Sequence, residues 1–449
     1  MSKIKISGNT DSTRPNLIAS AELFERGKRV ITGGNTRLAI SERPHPIYFA
    51  RGTGVHLVDV DGNTYLDFLN NFTALIHGHS YRPVLDRLHH QLERGLSFSG
   101  PTELEVEFAE LLCGRVPYFD QIRFMNSGTE AVMYAIKAAR ALTGRPKIAK
   151  FEGGFHGSYD PIEISLDSTP ANWGSRSAPN AMPYCAGMSE SVTADTVVLP
   201  FNELGASREI LEGNKDKLAA VVIDLLPQRV GLVPMKPSYL SFLREFTARH
   251  GIVLISDEVM SFRLSFHGGI TRFGFEADLC AFAKIIGGGL PIGAVGGPSR
   301  FMLAFDSANG KPLVPQAGTL SGNPMSMASG ITAMQSLSEQ DFQRLDDLGE
   351  YARSSLTEMF RREGLPYSVT GIASMFRIHL RSEAPKDYRE AYAAPEQQEK
   401  MRMLVWALQG RGVIVSPTCQ LCLSTPMSTD HVDEMVTSVR AAAQMLEAA

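Results

Sequence analysis

From about residue 120 to residue 300 the sequence alternates short apolar runs with stretches patterned as helices, and this alternation restricts the fold more than any other feature. The runs are IRFM (122–125), KIAKF (147–151), TVVL (196–199), AAVVIDLL (219–226), IVLIS (252–256), LCAFA (279–283) and IGAVG (292–296). Because they do not alternate apolar with polar, they predict strands buried on both faces, as in a mainly parallel seven-stranded sheet between helical layers. Between them, Thr129 to Thr143 reads as a helix with Val132, Ile136, Ala139 and Leu142 on one face. Such sheets bind ligands beyond the carboxyl ends of their strands. The residues with the most suggestive chemistry fall at those ends.

A chain of 449 residues exceeds one ordinary core. The expected division is a large domain over 66–325, with a smaller α+β domain built from 1–65 and 326–449. The first of these two pieces also covers the site. Residues 47–68 alternate like a β-meander with a turn at Asp61-Gly62-Asn63. A long helical stretch follows Asn323-Pro324 to about 363, strands surround 374–380 and 412–423, and a last helix starts near Asp430.

The formal net charge of −4 argues against a general nucleic-acid binder. No apolar run approaches the ~20 residues that span a bilayer. The polar N-terminus lacks the apolar core of a signal peptide, and five cysteines are few and odd in number, so a reducing, cytoplasmic location is expected. Cys419 and Cys422 form a single CxxC with no second ligand pair, which reads as two ordinary thiols rather than a metal site.

Four segments could carry chemistry. In FMNSGTEA, Ser127, Gly128 and Thr129 open a helix directly after a strand. They would cradle a phosphate on free backbone N–H groups, or Ser127 or Thr129 would simply cap the helix. In IVLISDEV, Asp257 ends an apolar strand and needs a cationic or N–H partner, such as a protonated ring nitrogen or an ordinary basic side chain. In LCAFAKIIGGGLPIGAVGG, Lys284 follows an apolar strand and precedes three glycines. Apolar surroundings lower an ammonium pKa and make the amine nucleophilic, while the glycines leave room for a flat ring. In PQAGTLSGNP, Thr319 is a further phosphate donor or a plain loop hydroxyl.

Taken together and in order, NSGTEA, FEGGFHG, DEV, AKIIGGGLPIGAVGG and AGTLSGNP resemble the class III aminotransferase family near its glutamate-1-semialdehyde aminomutase branch, from about Ser20 to the C-terminus. The resemblance implies the fold-type I architecture and pyridoxal 5'-phosphate (PLP) as cofactor. It implies that Lys284 carries the cofactor as a Schiff base and then shuttles the proton, with Asp257 pairing to the pyridine nitrogen. Ser127, Gly128 and Thr129 should hold the phosphate. Phe155 should stack on one ring face with His156 beside it, and Val259 should pack the other. Asp224 stands where relatives carry a glutamate. Thr319 should reach the neighbouring subunit's phosphate, which implies a homodimer with shared sites.

The phrases GGNTRLAISE, FARGTGVHLVDVDG, DEVMSFRLSFHGG and VSPTCQLCLS resemble most the β-phenylalanine type of aminotransferase. That likeness implies transfer of an amino group from a β-amino acid or related ω-type donor to an oxo acid by a ping-pong mechanism. Arg37 would take the donor carboxylate, with Asn71 where that type carries an acid. The same type has an Arg after Ser-Pro for the acceptor's carboxylate, and here Thr418 stands instead. Arg229 or Arg411 could substitute, or the acceptor could be pyruvate or an aldehyde. A 2,1-aminomutase, an amine transaminase without a carboxylate requirement, and a PLP-fold protein that only binds its ligand are the alternatives.

Overall fold

A computed structural model describes residues 16–40 and 44–448. Residues 1–15, on which the signal-peptide reading rests, and Ser41 and Glu42 of the segment after Arg37 lie outside the described residues. A meander of β1 (Phe49–Thr53), β2 (His56–Asp59) and β3 (Thr64–Asp67) comes first. Then follow β4 (Gln121–Met125), β5 (Lys147–Phe151), β6 (Thr196–Leu199), β7 (Leu218–Ile223), β8 (Val253–Asp257), β9 (Leu279–Ala283) and β10 (Gly293–Gly297). These seven form one sheet in the order β4-β10-β9-β8-β7-β5-β6, parallel except for β10, which runs against both β4 and β9.

The sheet is largely apolar because it separates two cores. On β7, Ala220 and Val222 pack with the helix Gly128–Thr143, whereas Val221 and Ile223 face the larger cluster on the other side. Alternate side chains on a strand point to opposite faces, so a strand covered on both sides has few positions for a polar residue; Lys150, buried in β5, holds one by donating from Nζ to Ile164 O at 2.6 Å. Asp224, Asp257 and Lys284 appear where the strands stop. β7 ends at Ile223, three residues short of the apolar run read from sequence, and Asp224 is the residue at which the chain leaves the sheet.

Both ends of the chain meet in the smaller part. After β11 (Ser368–Ile372) and β12 (Met375–His379), β13 (Val413–Ile414) pairs in parallel with β3, and β14 (Gln420–Cys422) pairs with β12. The single helix expected between 324 and 363 is two, Pro324–Gln335 and Glu339–Arg362. Ser338 divides them with a capping box: its hydroxyl accepts from Asp341 N at 3.2 Å, and Asp341 Oδ2 accepts from Ser338 N at 2.9 Å. No helix among the described residues is long and apolar enough to cross a membrane.

Gly293 opens β10 against the backbone of Ser127, where an added Cβ would collide with the Ser127 carbonyl. Gly293→Ala must therefore push β10 off the turn that starts the Gly128 helix. It should destabilise the protein by about 1–3 kcal/mol, as overpacking does. Gly205→Ala, where nothing lies within 4 Å, should leave the thermal midpoint unchanged. Equal midpoints for the two variants in a thermal melt would contradict this packing.

Candidate active site

The parallel register sets Asp224, Asp257 and Lys284 side by side. Ile223 pairs with Ser256 and Asp257 pairs with Ala281, so the residues that end or follow β7, β8 and β9 share one edge of the sheet. Lys284 has φ 54°, a left-handed conformation uncommon for a side-chain-bearing residue, at the point where the chain turns from β9. Strain of this kind is retained where the surrounding structure over-determines it. Burial pulls the Lys284 ammonium below its usual range, and Asp257 and Asp224 oppose that pull only in part. Its amine makes no hydrogen bond to the described residues.

The two carboxylates differ. Asp224 is pushed up to about 8, first by burial and then by the neighbouring Asp257, although Leu226 N donates to its Oδ1 at 2.9 Å. Asp257 instead has both oxygens engaged: Val259 N donates to Oδ1 at 3.0 Å and His156 Nδ1 to Oδ2 at 2.8 Å. A carboxylate that accepts such bonds favours its charged form. His156 Nε2 is enclosed without a partner. The two carboxyls therefore sit in different surroundings: Asp224 is raised by burial and by its acidic neighbour, whereas both oxygens of Asp257 are hydrogen-bonded.

Beyond β4, Ser127 is the cap: its hydroxyl accepts from Glu130 N at 3.1 Å. The capping alternative left open by the sequence thus describes the Ser127 hydroxyl. The helix still presents the N–H groups of Gly128 and Thr129, which have no intrahelical acceptor. Thr129 Oγ1 accepts from Ser158 N at 3.2 Å, tying the helix start to the loop of FEGGFHG. Phe155 on that loop is 48% exposed. Gly128 keeps an opening beside Val259, since a Cβ there would approach Val259 Cγ2 to 3.0 Å.

A second wall comes from the smaller part. Asn70, Asn71, Phe72 and Thr73 have φ of 47°, 48°, 55° and 75°, a left-handed turn without a glycine. Each such residue costs roughly 1–2 kcal/mol in isolation, less for Asn. Arg263, fully buried, holds the turn by donating from Nη1 to Thr73 O at 2.8 Å, from Nε to Ser374 Oγ at 3.2 Å and from Nη2 to Leu423 O. Asn70 Nδ2 donates to Cys422 O at 3.0 Å. The turn presents Asn71, whose Oδ1 accepts from Arg37 Nη1 at 2.8 Å, and the Arg37 guanidinium lies 5.9 Å from the Phe72 ring centre. Sequence reading brought Arg37 and Asn71 to the same site, and they touch. It did not find Arg263, nor the bond between His156 and Asp257.

Other expected residues lie elsewhere or do other things. Arg229 is ion-paired to Asp167 at 2.7 Å. Arg411 Nε is enclosed without a partner. Thr418 Oγ1 lies 3.2 Å from Ser416 Oγ. Thr319 is exposed on a segment, Ala317–Leu320, that is open throughout. Cys419 and Cys422 are buried free thiols, and no group of metal-ligating side chains occurs among the described residues.

The aminotransferase class-III family model matches residues 38–442. The chain belongs to the class-III aminotransferases. A glutamate-1-semialdehyde 2,1-aminomutase of Methanosphaera stadtmanae is 34% identical over 94% of this chain and 97% of its own length. An ω-transaminase from Sphaerobacter thermophilus superposes with a TM-score of 0.93 at 46% identity, over 96% of this chain and 98% of that one. A β-phenylalanine aminotransferase from Variovorax paradoxus gives 0.86 at 31% identity, over 96% and 94%. As in this family, the chain is a fold-type I PLP-dependent enzyme of the transaminase type.

The class-III cofactor fits what the site offers. An unbonded amine on Lys284, a carboxylate oriented by His156, unspent helix N–H groups and the gap beside Gly128 are complementary to an aldehyde, a ring nitrogen, a phosphate and a flat ring. Because Asp257 is bonded to His156 and Val259 N whereas Asp224 is bonded only to Leu226 N, their amide variants should differ. Asp257→Asn should slow turnover by several powers of ten, on the scale of the ~10⁴-fold loss seen for a buried orienting carboxylate elsewhere. Asp224→Asn should lose less than about tenfold, since an amide oxygen still accepts from Leu226 N. Steady-state rates at pH 7 check this, and equal losses would contradict the separate roles of the two carboxyls.

Proposed function

We propose that this class-III enzyme moves an amino group from a β-amino acid or related ω-type donor to an oxo acid, the two substrates using one site in turn. The observation that carries this reading is Arg37, held by Asn71 on a clamped left-handed turn. A guanidinium is a fork matched to a carboxylate, and Asn71, being neutral, orients Arg37 without cancelling its charge. An acid at that position would compete with the substrate for the same fork.

PLP, when bound, supplies an electron sink for the pair left behind as the donor's carbon loses its proton. The chain's own residues do the rest. Lys284 would hold the cofactor through its Nζ and, once freed, would carry the substrate proton on the same atom. Burial lowers the proton affinity of that amine, which suits it to the role of base. Asp257, oriented by His156, would pair with the ring nitrogen, and Val259 and Phe155 would flank the ring. Gly128 and Thr129 would hold the phosphate through the helix N-terminus, with Ser127 fixing that terminus.

A homodimer fits this reading. Thr319 shares a surface hollow with Ser97, Phe98 and Pro101, and Phe98 and Leu320 are more than half exposed beside it. A second copy laid over this apolar surface would bring Thr319 to the neighbouring phosphate. The names of the sequence relatives favour the second reading, a 2,1-aminomutase that returns the amino group to the same molecule. Retention of one intermediate without an added oxo acid distinguishes the two.

Arg37→Ala should raise KM for β-amino acids by the equivalent of about 1 kcal/mol, roughly fivefold, since Arg37 is exposed and solvent screens its charge. Activity on amines without a carboxylate should be nearly unchanged. Equal loss on both donor classes, or none on either, would remove Arg37 from the donor site.

A further inference from the structure

Arg377 is the lone charge in MFRIH, the sequence of β12. Met375, Arg377 and His379 share one face of this strand, while Phe376 and Ile378 enter the core on the other. The first face meets the loop that leaves β7 past Asp224. Met375 packs with Leu226, Leu232 and Cys422, and His379 Nε2 lies 3.2 Å from Gly231 O. Arg377 itself donates from Nη1 to Gln228 O at 2.9 Å and from Nε to Thr418 O at 3.1 Å. It thus joins the β7 loop to the Ser-Pro-Thr turn, at the boundary between the two parts of the molecule.

Its charge is the anomaly. Only 8% of the residue is open, yet no carboxylate among the described residues neutralises it. Arg389, similarly enclosed, is paired with Glu152 at 2.8 Å. Arg263 also lacks a carboxylate, but all three of its nitrogens donate to protein acceptors. Arg377 leaves Nη2 without a bond to the described residues. The charged neighbours add to the imbalance. Burial and the nearby Arg229 draw the Arg377 guanidinium down to about 10, although Cys419 acts the other way. Burial, Arg377 and Arg381 hold His379 at about 3, which keeps it neutral. Asp167, the acid that faces Arg229, is bound to it and is largely exposed. A buried cation with a spare donor and no counter-charge is stable with an anion beside it.

We propose that Arg377, with Arg229 next to it, binds the carboxylate of the oxo-acid acceptor. This supplies from a neighbouring strand the charge that Thr418 lacks. β14 links this place to the turn that holds Arg37: its Cys422 end accepts from Asn70, the neighbour of Asn71, and its Gln420 end, about 7 Å along the strand, pairs with Arg377. Donor and acceptor carboxylates are therefore read at different ends of one strand. The assignment rests on the transaminase reading, and its test does not depend on the identity of the donor.

Enzyme in the amino form, prepared with pyridoxamine phosphate, is mixed with pyruvate, α-ketoglutarate or propanal. Arg377→Met should lower kcat/KM for both oxo acids by about 100-fold or more and for propanal by less than about threefold, with Arg377→Lys between wild type and Met. Loss of the propanal reaction by the same factor would reduce Arg377 to a structural tie, and unchanged oxo-acid rates would overturn the subsite. A binding arm covers a Met variant that fails to fold and a wild type that transfers to no acceptor. Propionate should bind the wild type more tightly than propionamide does, and Arg377→Lys should weaken propionate alone. Equal propionate affinity in wild type and Arg377→Lys would contradict the proposal, whatever the fate of the β-amino-acid reading.

Discussion

One constraint shapes the whole site: a lysine amine and two carboxylates must coexist at the water-poor end of a largely apolar sheet. Burial alone would neutralise all three. The structure settles them differently: Val259 N and His156 engage both oxygens of Asp257, while burial and the neighbouring Asp257 raise Asp224. Burial lowers the proton affinity of Lys284, and the two carboxyls oppose that only in part. A lowered proton affinity makes an amine a better nucleophile and proton carrier than an exposed lysine.

The wall beside Arg37 is built by strain rather than by burial. Four successive left-handed residues without a glycine persist because Arg263, Asn70 and Asp67 anchor both ends of the turn; Asp67 Oδ1 accepts from Leu69 N and Asn70 N at 2.8 and 3.0 Å. The anchors come from the large sheet's exit after β8, from β3 and from β14. Arg37 is therefore placed by contacts that exist only when N-terminal, central and C-terminal segments are assembled.

Most of the fold was legible because the sheet's burial leaves a direct imprint: seven apolar runs became β4 to β10, three with the same ends and four with ends shifted by up to three residues. Lys284 stood out as a lone charge after such a run, and Asp257 as a carboxylate at a strand tip. The same signal was present at Arg377, a lone charge inside an apolar strand, but β12 is short and its partner loops are far away in sequence. Arg263 was hidden for a similar reason, since its acceptors at Thr73, Ser374 and Leu423 are backbone or hydroxyl groups scattered along the chain. The break at Ser338 was readable as S-x-x-D and yielded to a helical pattern that continued on both sides. The positive φ values of Asn70–Thr73 leave no trace in composition beyond the Asn-Asn pair.

Low proton affinity does not by itself single out the cofactor lysine. Lys150, completely buried, is also drawn down to about 7, by burial and by Arg229. Geometry separates the two. Lys150 Nζ is fixed to Ile164 O at 2.6 Å with no exposed surface, whereas Lys284 has no such bond and lies at the strand edge beside Asp257. Borohydride reduction of the PLP-loaded enzyme, followed by peptide mapping, decides between them. The account predicts one reduced cofactor per chain on the peptide containing Lys284 and none on that containing Lys150. Label on Lys150, or an unlabelled Lys284 in active enzyme, would contradict it.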